Sequence, residues 1–390
     1  MKLYLNDLGL LCAASNSRQE IMAKILSGDR SGLIECDDFG INTVVGKCHA
    51  ELPVIDETFS HYECRNNRLL LSALAQIRQS VDHFINKYGN DRIGVVLGTS
   101  TSGVRSTELA LAYKAAHGIL PDNFHYKQQQ MGAGADFLAA YLGITGPAYL
   151  ISTACSASGK AFASARRLIN LDLCDAVIVG GADSLCGLTI NGFAALDSLS
   201  TGLCKPFGKH RNGINIGEAA CLFILSKEPG PVYLAGIGAN SDAYHFSAPD
   251  PSGAGVTKAM CAALQDAGRK PQEIDYINLH GTATVLNDAM ESKAVNELFG
   301  CHVAASSSKG MTGHTLGVAA ALELGLCWLS LIENNDNYLI PNINDDEPDS
   351  NLPAVHLTKT GERSTQTLQH CQSNSFAFGG SNVSLIISKS

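Results

Sequence analysis

Residues 148–169 read AYLISTACSASGKAFASARRLI, and three textures meet within them. Ala148–Ile151 is a short apolar run of strand character. The stretch 152–159 is built from the smallest side chains, with one thiol, Cys155, among them. From Gly159 to Leu171 apolar and basic residues recur at helical spacing. A strand that passes through a tight small-residue loop into a helix is the repeating unit of α/β proteins. A cysteine kept for packing has bulky apolar neighbours; here the neighbours leave room for something to approach the sulfur.

The same alternation continues outward. Apolar runs predict strands at Arg92–Leu97, Asp175–Val179, Ala220–Leu225, Val232–Ile237, Ile274–Leu279 and Val383–Ile387. Helical spacing predicts Glu20–Leu26, Arg65–Ile85, Arg105–Ala116, Met131–Leu142 and Gly159–Leu171. The second half adds Gly255–Ala267, Asp288–Phe299 and His314–Glu333. Continuous apolar strands between helices imply an α/β fold with sheets covered on both faces. In each half a strand enters a polar loop bearing Cys or His and then a helix. ISTAC-SASGKAFASA (151–165) is echoed by NLH-GTATVLNDAMESKAV (278–295), which points to an internal duplication. The segment SKEPGP (226–231) is the natural seam, giving units 1–228 and 229–390.

Composition narrows the function. A chain of 390 residues with 45% hydrophobic content buries a sizeable core, and a net charge of −9 argues against nucleic acid as a partner. The apolar runs are far too short to span a bilayer, so a soluble cytoplasmic protein is expected. Thirteen cysteines, odd in number and scattered singly, do not form a disulfide framework. Neither a C-x-x-C pair nor H-E-x-x-H occurs, so no metal site is expected.

Chemistry concentrates on Gly/Ser/Thr loops. Cys155 at a loop-to-helix step lies near unpaired backbone N–H groups. The helix dipole favours a thiolate there by about 0.3–2 kcal/mol. That moves a thiol from about 8.5 toward roughly 7. The same N–H groups can hold an oxyanion after attack on an acyl carbon. His280 closes the apolar run IDYINL, at the strand end where open α/β sheets place their sites. His314 follows SSSKGMTG and precedes a long apolar helix, with Lys309 five positions earlier. Each alone reads equally as a cap, a packed core group or a solvated loop residue. Together they form a constellation.

At these residues the sequence resembles the β-ketoacyl-acyl carrier protein synthases, the elongating condensing enzymes of the thiolase superfamily. The matching blocks are TACSAS, PF-x(3)-R-x-G followed by IGEAA, NSDAYHFSAPDPSGAG, HGTATVLND, SSKGMTGHTLG and NSFAFGGSN, in family order. The resemblance implies a thiolase-like duplicated αβαβα layered fold. It implies that Cys155 carries the growing acyl chain as a thioester, and that His280 and His314 act as neutral donors to the malonyl thioester as CO2 leaves. Lys309, with Glu323, supports the pair. The N–H groups of Cys155 and Phe378 form the oxyanion hole, Phe376 and Phe378 belong to the gate, and Thr282 and Thr284 hold the phosphopantetheine arm. No other cofactor is implied, because that arm arrives on the partner, acyl carrier protein. Arg65 and Arg68 are candidate docking residues for this acidic partner. A dimer is implied, either of identical chains or with a paralogous ketosynthase or chain-length subunit. The details look most like the ketosynthases of bacterial aryl-polyene pathways. Val285 stands where proline is usual, and Ala283 and Ala377 where glycine is common; the methyl of Ala377 is expected to restrict the gate. Three rivals remain at this point: another thiolase-fold acyltransferase, a non-catalytic chain-length partner, and an unrelated Cys–His hydrolase.

Overall fold

The computed structural model describes residues 2–333, 336–344, 347 and 349–390. Ten strands carry its architecture. In the first half they are β1 (Tyr4–Cys12), β2 (Ile93–Gly98), β3 (Ala148–Ile151), β4 (Ala176–Asp183) and β5 (Ala219–Ser226). In the second half they are β6 (Val232–Ser241), β7 (Tyr276–Asn278), β8 (Ala304–Ser306), β9 (His370–Ala377) and β10 (Ser381–Lys389). The first half runs β3-β2-β4-β5-β1 and the second β8-β7-β9-β10-β6. The pairing sense also repeats: the inner pairs β2–β3, β2–β4, β7–β8 and β7–β9 are parallel. The pairs made by β5 and β10 are antiparallel. β1 and β6 join the halves through Tyr4↔Tyr233 and Leu5↔Val232.

Six helices repeat in step with the strands: α1 (Arg65–Tyr88), α2 (Val104–His117) and α3 (Ala157–Asn170), then α4 (Ala254–Ala267), α5 (Val285–Phe299) and α6 (Ala319–Ile332). α3 touches β2, β3 and β4 of its own half and β10 of the other; α6 touches β9, β10 and β5. These two helices are the middle layer. α1 covers the first half from outside, and α4 covers the second. The layering follows from burial. Residues 319–331 of α6 are buried all round, as a helix between two sheets must be. The central core includes Leu8, Phe162, Phe223, Trp328 and Leu385. Separate outer cores form under α1 (Leu69, Leu74, Ile77) and under α4 and α5 (Met260, Leu264, Val295). The result is a duplicated αβαβα fold.

The strand order corrects the expected correspondence between halves. The loop after β3, which carries Cys155, matches the loop after β8, which carries Lys309 and His314. His280, after β7, matches Thr99, after β2. Short motifs on either side of His and Cys looked alike, but sheet position decides equivalence. The long helix expected from His314 begins only at Ala319: Lys309–Thr312 forms its own short helix, and Leu316–Val318 a 3-10 turn.

Candidate active site

Cys155 follows β3 and immediately precedes the cap of α3, with Ala154 in the left-handed region at φ 51°. That conformation is uncommon for a residue with a β-carbon, and it marks a backbone held in place by its surroundings. The N–H groups of Phe378 and of Cys155 itself both face the sulfur. His314 Nε2 lies 2.9 Å from Sγ. The ring's other nitrogen, Nδ1, accepts from Leu316 N at 3.3 Å. An imidazole that accepts at Nδ1 carries its proton at Nε2, so His314 presents N–H to the sulfur. Leu316 is itself left-handed at φ 54°, which turns its N–H onto the ring.

His280 stands nearly perpendicular to His314, with ring centroids 5.4 Å apart. Lys309 Nζ is 3.5 Å from His280 Nδ1 and donates to the His280 carbonyl at 2.5 Å. The ammonium also contacts Glu323 Oε1 directly; both side chains are almost fully buried. By the same tautomer argument His280 also exposes Nε2–H. Burial, then the Lys309 charge, hold both imidazoles well below their ordinary pKa, so both are neutral at pH 7. Burial raises the Glu323 carboxyl to about 7 against the pull of Lys309.

A cavity of about 230 Å³ joins these groups. Its lining includes Cys155, His280, His314, Phe376, Phe378 and the pair Thr282 and Thr284, whose hydroxyls are 3.0 Å apart. The Phe376 ring lies 6.1 Å from His280, and the half-buried Phe378 ring packs 5.4 Å from Phe193. Lys309 and Glu323 sit behind the imidazoles and do not line the cavity. The ligand atoms of Cys155, His280 and His314 lie within 4.8 Å of one another, the one Cys/His/Asp/Glu group among the described residues able to hold a metal ion. A soft divalent ion suits such donors, but it would share its surroundings with the Lys309 ammonium.

Three expectations change. The thiol is not lowered toward 7: burial pushes Cys155 up to about 12, and Lys309 with the two N–H groups only partly offsets that. Desolvation penalises the thiolate more than a helix end favours it. Arg65 is not a free docking cation, because it donates to both carboxylate oxygens of the fully buried Glu218 and to the Cys48 carbonyl. Arg68 pairs with Glu63, and neither arginine lines the cavity. Finally, Ala377 has φ −91°, ψ 154°, which any residue adopts, so its methyl adds no strain; the left-handed turn falls on Gly379 and Gly380. Ala283, by contrast, is left-handed at φ 63°.

Some supporting residues escaped the sequence reading. Glu291 accepts from His280 N and Gly281 N, both at 2.7 Å, and fixes the loop after β7. Asp183 accepts from Thr99, Ser100 and Thr101 in the first half and from Val318 N in the second. It thereby ties the loop after β2 to the turn that follows His314. A carboxylate at the end of the apolar strand AVIVGGAD was the available signal for Asp183. Glu291 had none, since only the folding back of α5 brings it to His280.

A duplicated thiolase-like fold whose central cavity unites an N–H-cradled thiol with two neutral imidazoles and a buried lysine defines a class of acyl-transferring condensing enzymes. The N-terminal and C-terminal domain models of β-ketoacyl synthase match residues 65–229 and 232–344. The chain is 30% identical to 3-oxoacyl-[acyl-carrier-protein] synthase 2 of Synechocystis, across 100% of this chain and 98% of that protein. A solved complex from Xenorhabdus doucetiae, the ketosynthase ApeO with its chain length factor ApeC, contains a chain 44% identical. The TM-score is 0.95, covering 100% of this chain and 98% of that one. A β-ketoacyl synthase from Burkholderia phymatum is 26% identical, with TM-score 0.88 over 100% and 99%. The chain belongs to the β-ketoacyl synthase family.

Proposed function

We propose that this chain catalyses decarboxylative condensation of malonyl-acyl carrier protein with an acyl group held on Cys155. The observation that carries the reading is the single cavity in which Cys155, His280 and His314 meet. In the first half-reaction the Cys155 sulfur attacks the acyl thioester carbonyl. The N–H groups of Phe378 and Cys155 receive the developing oxyanion, and the thiol proton leaves on the pantetheine sulfur. In the second, the two Nε2–H groups bind the malonyl thioester oxygen, and CO2 departs as the enolate forms. The enolate carbon attacks acyl-Cys155, giving the 3-oxoacyl thioester, and one proton from solvent restores the thiol. Donors aimed where charge develops stabilise the transition state over the substrate. Lys309 holds His280 through its ring and carbonyl, and Thr282 and Thr284 hold the arm. The scheme calls for no metal or other cofactor.

A second subunit completes the assembly. β3 is an edge strand with half-exposed residues, and α2 buries only Ala110. Leu109, Leu111 and Tyr113 stay 56%, 55% and 40% exposed on that helix. An open edge beside exposed apolar side chains calls for a covering partner. The likeness to a ketosynthase bound to its chain length factor supports a paralogous subunit there. Within such a pair Cys155 assigns this chain the catalytic part. Singly scattered, unpaired cysteines support a cytoplasmic location.

The test is intact-protein mass spectrometry with acyl carrier thioesters, together with CO2 release from malonyl carrier protein. Acylation at Cys155 and coupled CO2 release are expected. Condensation by Cys155→Ala would eliminate the reading.

A further inference from the structure

We propose that Lys160 is a positioning residue that, through Ser381, locks the hairpin tip aiming the Phe378 N–H at the Cys155 sulfur. The inference rests on the oxyanion role given to Phe378 above.

Phe378–Gly380 is the tip of the hairpin between β9 and β10, closed by the pair Ala377↔Ser381. Gly379 and Gly380 follow Phe378 in consecutive left-handed conformations, at φ 77° and 74°. A β-carbon on Gly379 would meet nothing within 4 Å, so the tip has open space on that side. Its position depends on tethers. On the outside, Gly379 N donates to Phe246 O at 2.8 Å, and Asp242 N donates to Gly380 O at 2.8 Å. On the inside the tether is Ser381. Its hydroxyl accepts from Lys160 Nζ and lies 2.9 Å from Ser156 Oγ, which in turn donates to Thr153 O at 2.8 Å.

Thr153, Ser156 and Lys160 flank Cys155. The loop bearing the nucleophile and the hairpin bearing the second N–H are therefore joined at one hydroxyl. In the first turn of α3, Gly159 lets the helix pack tightly on β10: a β-carbon there would stand 2.6 Å from Val383 Cγ1. Lys160 is half-buried, and burial lowers the pKa of its ammonium, with no carboxylate partner among the described residues. Removing an ammonium from water without a counter-ion is unfavourable. The charge is not spent on the thiol either, whose surroundings are dominated by burial, Lys309 and the two N–H groups. What the ammonium does here is hold geometry.

The experiment compares two reactions of Cys155 in Lys160→Met, Ser381→Ala and Lys160→Arg proteins. Acylation from acyl carrier thioester needs the oxyanion donors; alkylation by iodoacetamide forms no oxyanion. Losing an aimed oxyanion donor costs 10²–10³ in rate, and misplacing one is expected to slow acylation about tenfold. Lys160→Met and Ser381→Ala should both show that loss in kcat, with carrier KM within about twofold of wild type and a clearly smaller fall in alkylation, because the Phe378 N–H also favours the thiolate. Lys160→Arg, which keeps a donor, should recover most of it. Acylation at the wild-type rate in both loss variants overturns the lock, as does an equal fall in acylation and alkylation. Should Lys160→Met fail to fold, Ser381→Ala carries the same expectation. Absence of acylation in the wild type overturns the functional reading and the lock with it.

Discussion

His314 Nε2 stands 2.9 Å from Cys155 Sγ across 159 residues of sequence. Because Leu316 N–H occupies Nδ1, the imidazole meets the sulfur as a donor and not as a base. This separates the site from a Cys–His hydrolase, in which the ring removes the thiol proton.

The first prediction concerns reactivity against pH. With the thiol at about 12, the thiolate fraction is about 10⁻⁵ at pH 7 and grows about tenfold per unit. Iodoacetamide alkylation of Cys155, followed by mass spectrometry, should climb from pH 7 to 10 without levelling. A plateau beginning near pH 7 would restore the dipole-activated thiolate.

Replacing the nucleophile should divide the two half-reactions. In Cys155→Gln the side-chain carbonyl can occupy the space between the N–H groups of residue 155 and Phe378, while His280 and His314 are untouched. Malonyl decarboxylation is expected to persist while condensation disappears, as read by CO2 release beside product analysis. Loss of both activities contradicts the division of labour.

Two neighbouring arginines should behave differently. Arg65→Ala leaves the buried Glu218 carboxylate without its cation, and breaking a buried pair costs about 3–5 kcal/mol. Arg68→Ala removes a partly exposed pair with Glu63, near the surface, that contributes about 1 kcal/mol. Denaturant unfolding distinguishes them. Equal stabilities, with a raised carrier KM for Arg65→Ala, would return Arg65 to the docking surface.

Glu291 supplies a pH signature. Burial raises its carboxyl from 4.5 to about 8. The folded state thus holds a proton that the unfolded chain releases, so this contribution is full below about pH 4.5 and lost as pH rises through 8. The stability advantage of the wild type over Glu291→Gln should therefore shrink between pH 5 and 8.5. His280 and His314 are common to both proteins, and their opposite contribution cancels in the difference. A pH-independent difference in calorimetric Tm would show that Glu291 does not titrate in this range.

Much of this was legible locally. The apolar run, small-residue loop and helical spacing of residues 148–169 specify β3, the Cys155 turn and α3, because such signals act between residues a few positions apart. The blocks around His280, Lys309 and His314 likewise marked the loops that meet at the cavity. What lay beyond reach were partnerships set at long range. The equivalence of the Cys155 loop with the Lys309–His314 loop depends on strand order, not on motif likeness. Arg65 finds Glu218 153 residues away. The thiol's raised pKa is a property of burial, and no stretch of sequence states how much water its neighbours exclude. Residue types determined which groups are able to react; the packing of two similar halves around α3 and α6 decided which of them face one another, and in which protonation state.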